Sequence, residues 1–296
     1  MEGSSSHNNS PTSEFDHRKH IFAPMEAIFP IMDETPRKPD LPSPLADWFT
    51  ARGWRPRPYQ LAVLQWTQAG QSVLLTAPTG GGKTLAGFLP SLCDLMRDDG
   101  MAQANGRLHT LYLSPLKALA VDVRRNLEAP IAEMAVPIRV ESRTGDTPQS
   151  RRQRQRHNPP DMLLTTPEQL ALLLSYRDAA KYFSGLRYVV IDELHALAAN
   201  KRGDLLALGL ARLASMAPAA RQVGLSATVA APARMARFLE CAGPVVVVDS
   251  GPGPRPEIKV MAATARVPWS GHMTLHAMAD IYDAIRKQQT TLVFVN

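Results

Sequence analysis

At positions 72–85 the chain reads Ser72-Val73-Leu74-Leu75-Thr76-Ala77-Pro78-Thr79-Gly80-Gly81-Gly82-Lys83-Thr84-Leu85. An apolar, β-prone run enters a turn with three consecutive glycines, and a helical pattern begins at Lys83. This order is typical of a phosphate-binding loop. Glycines let backbone N–H groups converge on a polyphosphate, and the helix directs its positive end at the same anion. The pattern therefore predicts that the chain binds a nucleotide through its phosphates.

The loop supplies both a cation and a metal ligand. Lys83 can neutralise the charge of the terminal phosphate, and the Thr84 hydroxyl can ligate Mg²⁺. The motif begins with Ala77 where the common pattern has glycine, so a chance glycine-rich turn is the alternative. The predicted nucleotide-binding residues of the loop are Ala77, Pro78, Thr79, Gly80, Gly81, Gly82, Lys83 and Thr84.

Downstream of the loop, short apolar runs alternate with helical patterns. Apolar runs without a clean two-residue alternation, joined by helices, are typical of a mostly parallel β-sheet that is covered on both faces. We therefore predict an α/β fold in which ligands bind at the carboxyl ends of the strands. The predicted strands of this sheet are 72–76, 110–114, 138–142, 162–165, 188–191, 222–226 and 245–249.

The composition is that of a globular protein with a basic charge balance. Of the 296 residues, 45% are apolar and 20% are charged, and no apolar run approaches the ~18 residues of a membrane span. The net charge of +6 is compatible with a polyanionic partner but does not require one. Cys93 and Cys241 have no CxxC spacing, so neither a disulfide framework nor a zinc site is predicted, and a reducing, cytoplasmic compartment fits best.

Composition also divides the chain into four parts. Residues 1–44, rich in Ser, Pro, His and Asn, are predicted to be a disordered extension, and 45–250 a first domain. The Gly- and Pro-rich segment 251–256 is the predicted linker. Residues 257–296 are predicted to begin a second domain, with strands at 258–262 and 291–295 around a helix at 275–287. Because the sequence stops within a predicted strand, we expect it to be a fragment of a longer protein.

A second apolar strand ends in two adjacent carboxylates, in the sequence Tyr188-Val189-Val190-Ile191-Asp192-Glu193-Leu194-His195. At the tip of a strand, Asp192 can hold Mg²⁺ and Glu193 can polarise an attacking water molecule. The alternative is an acidic first turn of a helix, where the two charges only complement the helix dipole. Together with the loop about 110 residues earlier, the pair predicts a nucleotide hydrolase that uses ATP and Mg²⁺, with Lys83, Asp192 and Glu193 as the catalytic residues.

At this point the sequence closely resembles the superfamily-two helicases of the DExH type. The stretch from Ala77 to Thr84 is similar to their motif I, and Asp192-Glu193-Leu194-His195 is similar to their motif II. The resemblance implies that His195 couples the ATP and nucleic-acid sites through motif III, which is read here as Ser226, Ala227 and Thr228. It also implies that Gln60 recognises adenine, since an amide can pair with the adenine edge. The implied architecture is a RecA-like ATP-binding domain followed by the start of a second one.

Three further segments resemble the nucleic-acid-binding motifs of that group. Small hydroxyls, loop amides and helix N-termini suit sequence-independent phosphate binding. The segment from 165 to 168 would also make a good helix N-cap with proline in the first turn. The residues implied to contact the strand are Pro115, Leu116 and Lys117 of motif Ia, with Thr144, Gly145, Asp146, Thr166, Pro167 and Glu168 of the Ib region.

Two other features have competing interpretations. The basic run Arg151-Arg152-Gln153-Arg154-Gln155-Arg156 either helps to hold a phosphodiester backbone or is a solvated helix face, and the sequence favours neither. The tryptophans Trp48, Trp54 and Trp66 are interpreted as core or adenine-side packing rather than as platforms for stacked bases.

Within the superfamily, residues 45–296 resemble the large helicase-related (Lhr) proteins, and above all the bacterial ligase-associated DExH helicases of the DNA damage response. Segments that carry this resemblance are 78–90, 114–119, 158–161 and 192–197, and 291–296 is similar to motif IV. Motifs V and VI, with the arginines that complete the ATP site, are absent, which implies weak ATP binding and little hydrolysis by this chain alone.

The function implied is an ATP-dependent helicase or translocase that moves 3′ to 5′ on DNA, single-stranded or partly duplex, and acts in DNA repair. An RNA helicase, or one that acts on RNA–DNA hybrids, is the enzyme alternative, because motifs I to III do not distinguish the sugars. A non-catalytic nucleotide- or partner-binding module is the alternative from another class, and the presence of Lys83 and Glu193 argues against it. DNA ligase or nuclease partners are implied by the resemblance only, and the oligomeric state is not predicted.

Overall fold

The computed structural model describes residues 39–97, 106–227, 229–251, 253, 257–260 and 278–294. The chain divides into two compact units, Met1–Gly251 and Pro252–Asn296. None of the helices in the described ranges has the length and hydropathy that a membrane-spanning segment needs.

The first unit is built on a seven-stranded sheet with the order β3-β4-β2-β5-β6-β1-β7. Every pairing between neighbouring strands is parallel. The predicted α/β fold with a mostly parallel sheet is therefore confirmed. The strands are β1 (Ser72–Thr76), β2 (Thr110–Leu113), β3 (Val140–Ser142), β4 (Met162–Thr165), β5 (Tyr188–Ile191), β6 (Arg221–Ser226) and β7 (Val245–Asp249).

Helices connect these strands. They are α1 (Ser43–Ala51), α2 (Pro58–Gln68), α3 (Lys83–Leu95), α4 (Lys117–Glu133), α5 (Gln149–His157), α6 (Pro167–Leu174), α7 (Ala179–Phe183), α8 (Leu194–Ala198), α9 (Lys201–Met216) and α10 (Pro232–Ala236), and a 3₁₀ helix (Arg237–Ala242) precedes β7. Helix α3 continues through Pro90.

Two apolar cores cover the two faces of the sheet. On one face, which we call the α3 face, Val190 packs with apolar residues of α2, α3 and α4. On the other, the α9 face, Val189 and Ile191 pack with residues of α6 to α9. Successive side chains of a strand point to opposite faces, so a strand that is covered on both faces reads as a continuous apolar run.

A smaller cluster attaches α1 to the outside of the α3 face. Leu45, Trp48 and Phe49 pack against Leu64 of α2 and Leu89 of α3. The helix begins at Ser43, two residues before the predicted start of the first domain at residue 45. Residues 43–44, predicted to belong to the disordered extension, are therefore helical. Residues 1–38 of the predicted extension lie outside the described part of the chain.

In the second unit, the predicted helix is present as α11 (Met278–Arg286). The described parts of the two predicted strands, 258–260 and 291–294, have no strand structure, and Val260 is 96% exposed. A β-prone run forms a strand only when a neighbouring strand can accept its backbone hydrogen bonds. Residues 261–262 and 295 of the predicted strands lie outside the described ranges. The assignment of 257–296 to a second RecA-like domain stays a prediction.

Candidate nucleotide and nucleic-acid site

Apart from Gln60 in α2 and Thr228, which lies outside the described ranges, the predicted site residues lie at or after the ends of six strands, along one edge of the sheet. The strands β5, β6 and β1 are neighbours, and Thr76 pairs with Ser226 while Ile191 pairs with Gly224. Parallel strands end at the same edge, so this register places the glycine-rich loop after β1, the acidic pair after β5 and motif III after β6 side by side. The remaining three loops follow β3, β4 and β2, which form the adjoining part of the sheet.

The glycine-rich loop has the backbone that a phosphate cradle needs. Gly80 and Gly82 have φ angles of 76° and 85°, in the left-handed region that favours glycine. Lys83 opens α3 and is only 6% exposed, and its Nζ atom donates to the Ala77 carbonyl oxygen at 3.0 Å. The lysine therefore lies folded over its own loop with two donors left for an anion.

Two side chains of α2 hold the loop from outside. The Tyr59 hydroxyl donates to the Gly81 carbonyl oxygen, and Gln60 Nε2 donates to the Gly82 carbonyl oxygen at 3.1 Å. Gln60 Oε1 also accepts from the Arg57 backbone N–H at 2.8 Å, and the side chain is buried. Gln60 thus supports the phosphate loop directly, and its predicted contact with adenine stays a prediction. The sequence did not predict that Tyr59 contacts the loop, and only its position next to Gln60 could have suggested this role.

Trp48 and Trp66 pack in apolar clusters, in agreement with the core interpretation, whereas Trp54 is 52% exposed. The Arg52 guanidinium carbon lies 5.0 Å from the Trp48 ring centroid and 5.2 Å from that of Trp54. Trp48 packs in the α1 cluster, and Trp66 packs against the α3-face core. A cavity of about 460 Å³ is lined by Trp48 and Trp54 and reaches Gly82 and Thr84 at the loop and the start of α3.

Asp192 is fixed by donors to both of its carboxylate oxygens. Oδ1 accepts from the Glu193 backbone N–H at 2.9 Å, and Oδ2 accepts from the Tyr112 hydroxyl. The Asp192 backbone N–H donates to the Leu113 carbonyl oxygen at 2.8 Å, which ties the end of β5 to β2. Burial, opposed by the Tyr112 hydrogen bond, raises the pKa of Asp192 above its ordinary value. Tyr112 was not predicted, although it is the one hydroxyl-bearing aromatic residue in β2.

Glu193 adopts a backbone conformation that is uncommon for residues other than glycine. Its φ and ψ angles are 47° and 44°, and it forms the N-cap of α8. Non-glycine residues in this region store strain of order 1–3 kcal/mol, and such strain concentrates at functional sites. The left-handed conformation of Glu193 lies at the turn between the end of β5 and the start of α8.

His195 joins the acidic pair to the segment after β6. The His195 Nδ1 atom accepts from the Ala227 backbone N–H at 3.2 Å and lies 3.3 Å from the Ser226 hydroxyl oxygen. The same atom lies 3.4 Å from Glu193 Oε2. An N–H donated to Nδ1 places the proton of the neutral ring on Nε2. The structure thus brings together three of the four predicted coupling residues, and Thr228 lies outside the described ranges.

The donor set fits Mg²⁺ held jointly by protein and nucleotide. The Thr84 hydroxyl and the Asp192 carboxylate are hard oxygen ligands, of the kind that Mg²⁺ prefers. Among the described residues, no group of three or more His, Cys, Asp or Glu side chains is placed to hold a metal ion by itself. Phosphate and water oxygens would therefore have to complete the coordination, as is usual for this ion.

The three loops predicted to contact nucleic acid also lie together. They follow the adjacent strands β3, β4 and β2, and the Ser114 backbone N–H donates to the Thr165 carbonyl oxygen at 3.0 Å. Leu116, Lys117, Gly145, Asp146 and Glu168 are exposed along this edge. Pro115, Thr144, Thr166 and Pro167 are buried, so their predicted contact with the strand stays a prediction.

The basic run occupies α5, and its four arginines have partners inside the protein. Arg152 Nη2 donates to the Thr144 and Gly145 carbonyl oxygens at 3.2 and 2.5 Å. The other three form ion pairs, Arg151 and Arg154 with Glu141 and Arg156 with Asp178. These contacts favour a structural role for the run over direct phosphate binding, and Arg152 acts by holding the carbonyls of the loop after β3.

Glu168 is likewise engaged within the protein. Arg202 Nε donates to Glu168 Oε1 at 2.5 Å, which joins α6 to α9. Burial alone would raise the pKa of Glu168, but hydrogen bonds from Arg202 and Thr166 lower it to about 2. A carboxylate repels phosphate, so this pairing favours a positioning role for Glu168 over the predicted contact with the strand.

Comparisons with known proteins agree with this arrangement. Residues 57–236 match the family model described as DEAD/DEAH box helicase. The chain is 37% identical over 290 residues to the Lhr helicase/uracil glycosylase of Escherichia coli (strain K12), and the match covers 87% of this chain and 19% of that protein. It is 35% identical over 271 residues to the ATP-dependent helicase Lhr-Core of Methanocaldococcus jannaschii, with 86% of this chain and 32% of that protein covered.

A solved structure shares the fold of this chain. It is the structure of Mycobacterium smegmatis helicase Lhr bound to ssDNA and AMP-PNP, with a TM-score of 0.70 and 35% sequence identity. The match covers 86% of this chain and 34% of that one. The chain thus spans between 19% and 34% of the length of these three relatives.

Proposed function

Because the chain belongs to the DEAD/DEAH box helicase family, we propose that it forms the ATP-binding RecA-like domain of an ATP-dependent helicase or translocase of the Lhr type. One observation carries this proposal. The nucleotide groups after β1, β5 and β6 and the three backbone-binding loops after β2, β3 and β4 share one edge of a single sheet. Such an edge can bind ATP and a nucleic-acid strand side by side, so that changes at one site reach the other.

The nucleotide half of the edge supplies the groups for phosphoryl transfer to water. Lys83 neutralises charge on the β- and γ-phosphates, and the loop amides with the N-terminus of α3 bind their oxygens. Bound Mg²⁺, held by Thr84 and Asp192, would neutralise the charge that develops on the phosphate oxygens. Glu193 is exposed enough to reach water, with 29% of its side chain accessible, and it orients the attacking molecule and accepts its proton.

We propose DNA, single-stranded or partly duplex, as the substrate. The M. smegmatis Lhr structure with ssDNA and AMP-PNP supports this choice, at 35% identity over most of this chain. Movement from 3′ to 5′, a role in DNA repair and contact with a DNA ligase or nuclease are proposed from the family resemblance alone. A cytoplasmic location is proposed because it keeps the two free cysteines reduced.

Nucleotide binding and turnover test the proposal with two variants of the full-length protein, because this chain alone is expected to hydrolyse little ATP. Lys83→Ala is expected to lose binding of a fluorescent ATP analogue, since it removes the cation in the loop. Glu193→Gln is expected to keep that binding and to lose turnover by ~10²-fold or more, because general-base catalysis contributes about that much. Lys181→Ala and Glu128→Gln change exposed residues elsewhere and serve as matched controls. Equal turnover in the wild type and Glu193→Gln would remove Glu193 from catalysis.

The choice of substrate needs a separate assay. DNA and RNA strands of equal length and sequence are compared for their stimulation of ATP turnover. Stronger stimulation by DNA is expected, whereas stronger stimulation by RNA would favour the RNA helicase alternative. Binding of ATP without any turnover or nucleic-acid response would favour the non-catalytic module.

A further inference from the structure

Tyr112 lies in the middle of β2, fully buried, with its hydroxyl against Asp192. It pairs in register with Val190 of β5, so it stands on the same face of the sheet two residues before Asp192 in the neighbouring strand. The Tyr112 ring stacks on Phe88 of α3, with 5.1 Å between ring centroids and 21° between planes. One side chain therefore contacts both the strand that carries the acidic pair and the helix that follows the phosphate loop.

The hydroxyl determines how the Asp192 carboxylate is oriented. A tyrosine hydroxyl has a single proton, and here it is donated to Oδ2. The Glu193 backbone N–H donates to Oδ1, so each oxygen has one donor and the carboxylate plane is fixed from both sides. Each oxygen keeps a free lone pair for a further partner. Outer partners of this kind set ligand orientation at metal sites.

We propose that Tyr112 is a positioning residue that holds the Asp192 carboxylate ready for the Mg²⁺ of a bound nucleotide. The inference rests on the proposed function and adds a residue to its site. The competing explanation is that Tyr112 only fills the core beside Phe88. The two explanations assign the role to different parts of the side chain, because packing needs only the ring and positioning needs the hydroxyl group.

The variant Tyr112→Phe separates these explanations, since it keeps the ring and deletes the hydroxyl. Its matched control is Tyr182→Phe on the α9 face, where the Tyr182 hydroxyl is buried and has no hydrogen-bond partner among the described residues. Binding of a fluorescent, non-hydrolysable ATP analogue to the full-length protein is titrated with Mg²⁺ and, in parallel, measured in EDTA. Asp192→Asn shows the size of the effect when the ligand itself is lost.

We expect Tyr112→Phe to raise the Mg²⁺ concentration at half-maximal binding by ~10–100-fold, the usual cost of losing an outer partner of a metal ligand. Binding in EDTA is expected to match the wild type, and Tyr182→Phe to match the wild type in both titrations. An unchanged Mg²⁺ requirement in Tyr112→Phe, or equal weakening with and without Mg²⁺, would overturn the positioning role alone. Failure of the full-length wild type to bind the analogue under any condition would overturn the proposed function, and this inference with it.

Discussion

Lys117 Nζ lies 3.1 Å from each carboxylate oxygen of Asp146. This ion pair joins the start of α4, after β2, to the turn after β3, and both loops belong to the candidate nucleic-acid edge. The lysine passes over Gly145, where an added Cβ atom would lie 3.4 Å from Nζ. Both side chains are more than half exposed, so the pair contributes little to stability and is open to exchange with a phosphate.

If Lys117 exchanges Asp146 for a phosphate of the bound strand, substitutions of the two residues should have opposite effects on strand binding. Asp146→Asn frees the lysine and removes a charge that repels phosphate, so single-stranded DNA should bind more tightly. Lys117→Ala should weaken binding and reduce the slope of log affinity against log salt by ~0.7, the value for one phosphate contact on a single strand. Fluorescence anisotropy at several salt concentrations measures both. Arg212→Ala on α9 is the control for loss of one exposed cation, and equal slopes in Lys117→Ala and this control would refute a contact at Lys117.

The Glu168–Arg202 pair predicts a defined acid sensitivity. The pKa of Glu168 is lowered from 4.5 to about 2 in the folded protein, so the pair's contribution to stability is complete above about pH 4.5 and disappears as the pH falls toward 2. Glu168→Gln should therefore be less stable than the wild type at pH 7, and the difference should shrink through this window. Urea unfolding at pH 7, 4 and 3 measures it. Arg202→Gln should show the same loss at pH 7, and a double variant that loses the sum of both would contradict direct pairing.

Gly224 predicts a stability cost for the smallest added side chain. A Cβ atom at this position of β6 would lie 2.7 Å from Leu239 Cδ1 and 3.2 Å from Leu194 Cδ2. Both neighbours are fully buried, so Gly224→Ala should lower the free energy of unfolding by ~1–3 kcal/mol. Combination with Leu239→Val, which shortens the obstructing side chain, should cost less than the sum of the two single changes. Additive costs in chemical denaturation would show that this contact is not the cause.

His195 predicts a separation of nucleotide binding from nucleic-acid stimulation. The His195 Nδ1 atom accepts from the Ala227 backbone N–H after β6 and lies near the Glu193 carboxylate. His195→Ala removes this link between the two segments, and we expect it to leave nucleotide affinity unchanged. The ratio of turnover with and without DNA should fall by roughly fivefold or more, the lower end of usual coupling energies. His157→Ala removes an exposed histidine of α5 and serves as the control. An unchanged ratio in His195→Ala would exclude it from coupling.

The sequence was sufficient to predict the sheet and most of its strand limits. Continuous apolar runs such as Tyr188–Ile191 occur because both faces of a strand are buried, and the limits of β1, β4, β5 and β7 agree with the prediction. Strand pairing could not be read in the same way, because order in a sheet depends on partners that are distant in the sequence. The runs at 258–260 and 291–294 show the same limit, since β propensity does not supply a neighbouring strand.

In the candidate site, the motif residues could be predicted and their supporting contacts could not. The glycine-rich loop and Asp192 follow strands in the sequence, so their place at the edge follows from the fold. Tyr59 and Tyr112 act through single hydrogen bonds to residues 22 and 80 positions away. The sequence could not decide between a phosphate-binding run and a solvated face for the arginines of α5, because their partners, Glu141 and Asp178, lie outside the run.

At Glu193, the residue that would give the most stable fold differs from the residue that the proposed chemistry needs. Glycine adopts the left-handed backbone conformation of this position at no steric cost, so Glu193→Gly should relieve strain at the turn and make the unit harder to unfold. The same change deletes the carboxylate proposed to act on water. Selection for stability alone would favour the smaller residue here, so the glutamate marks a position where the protein is less stable than its fold allows.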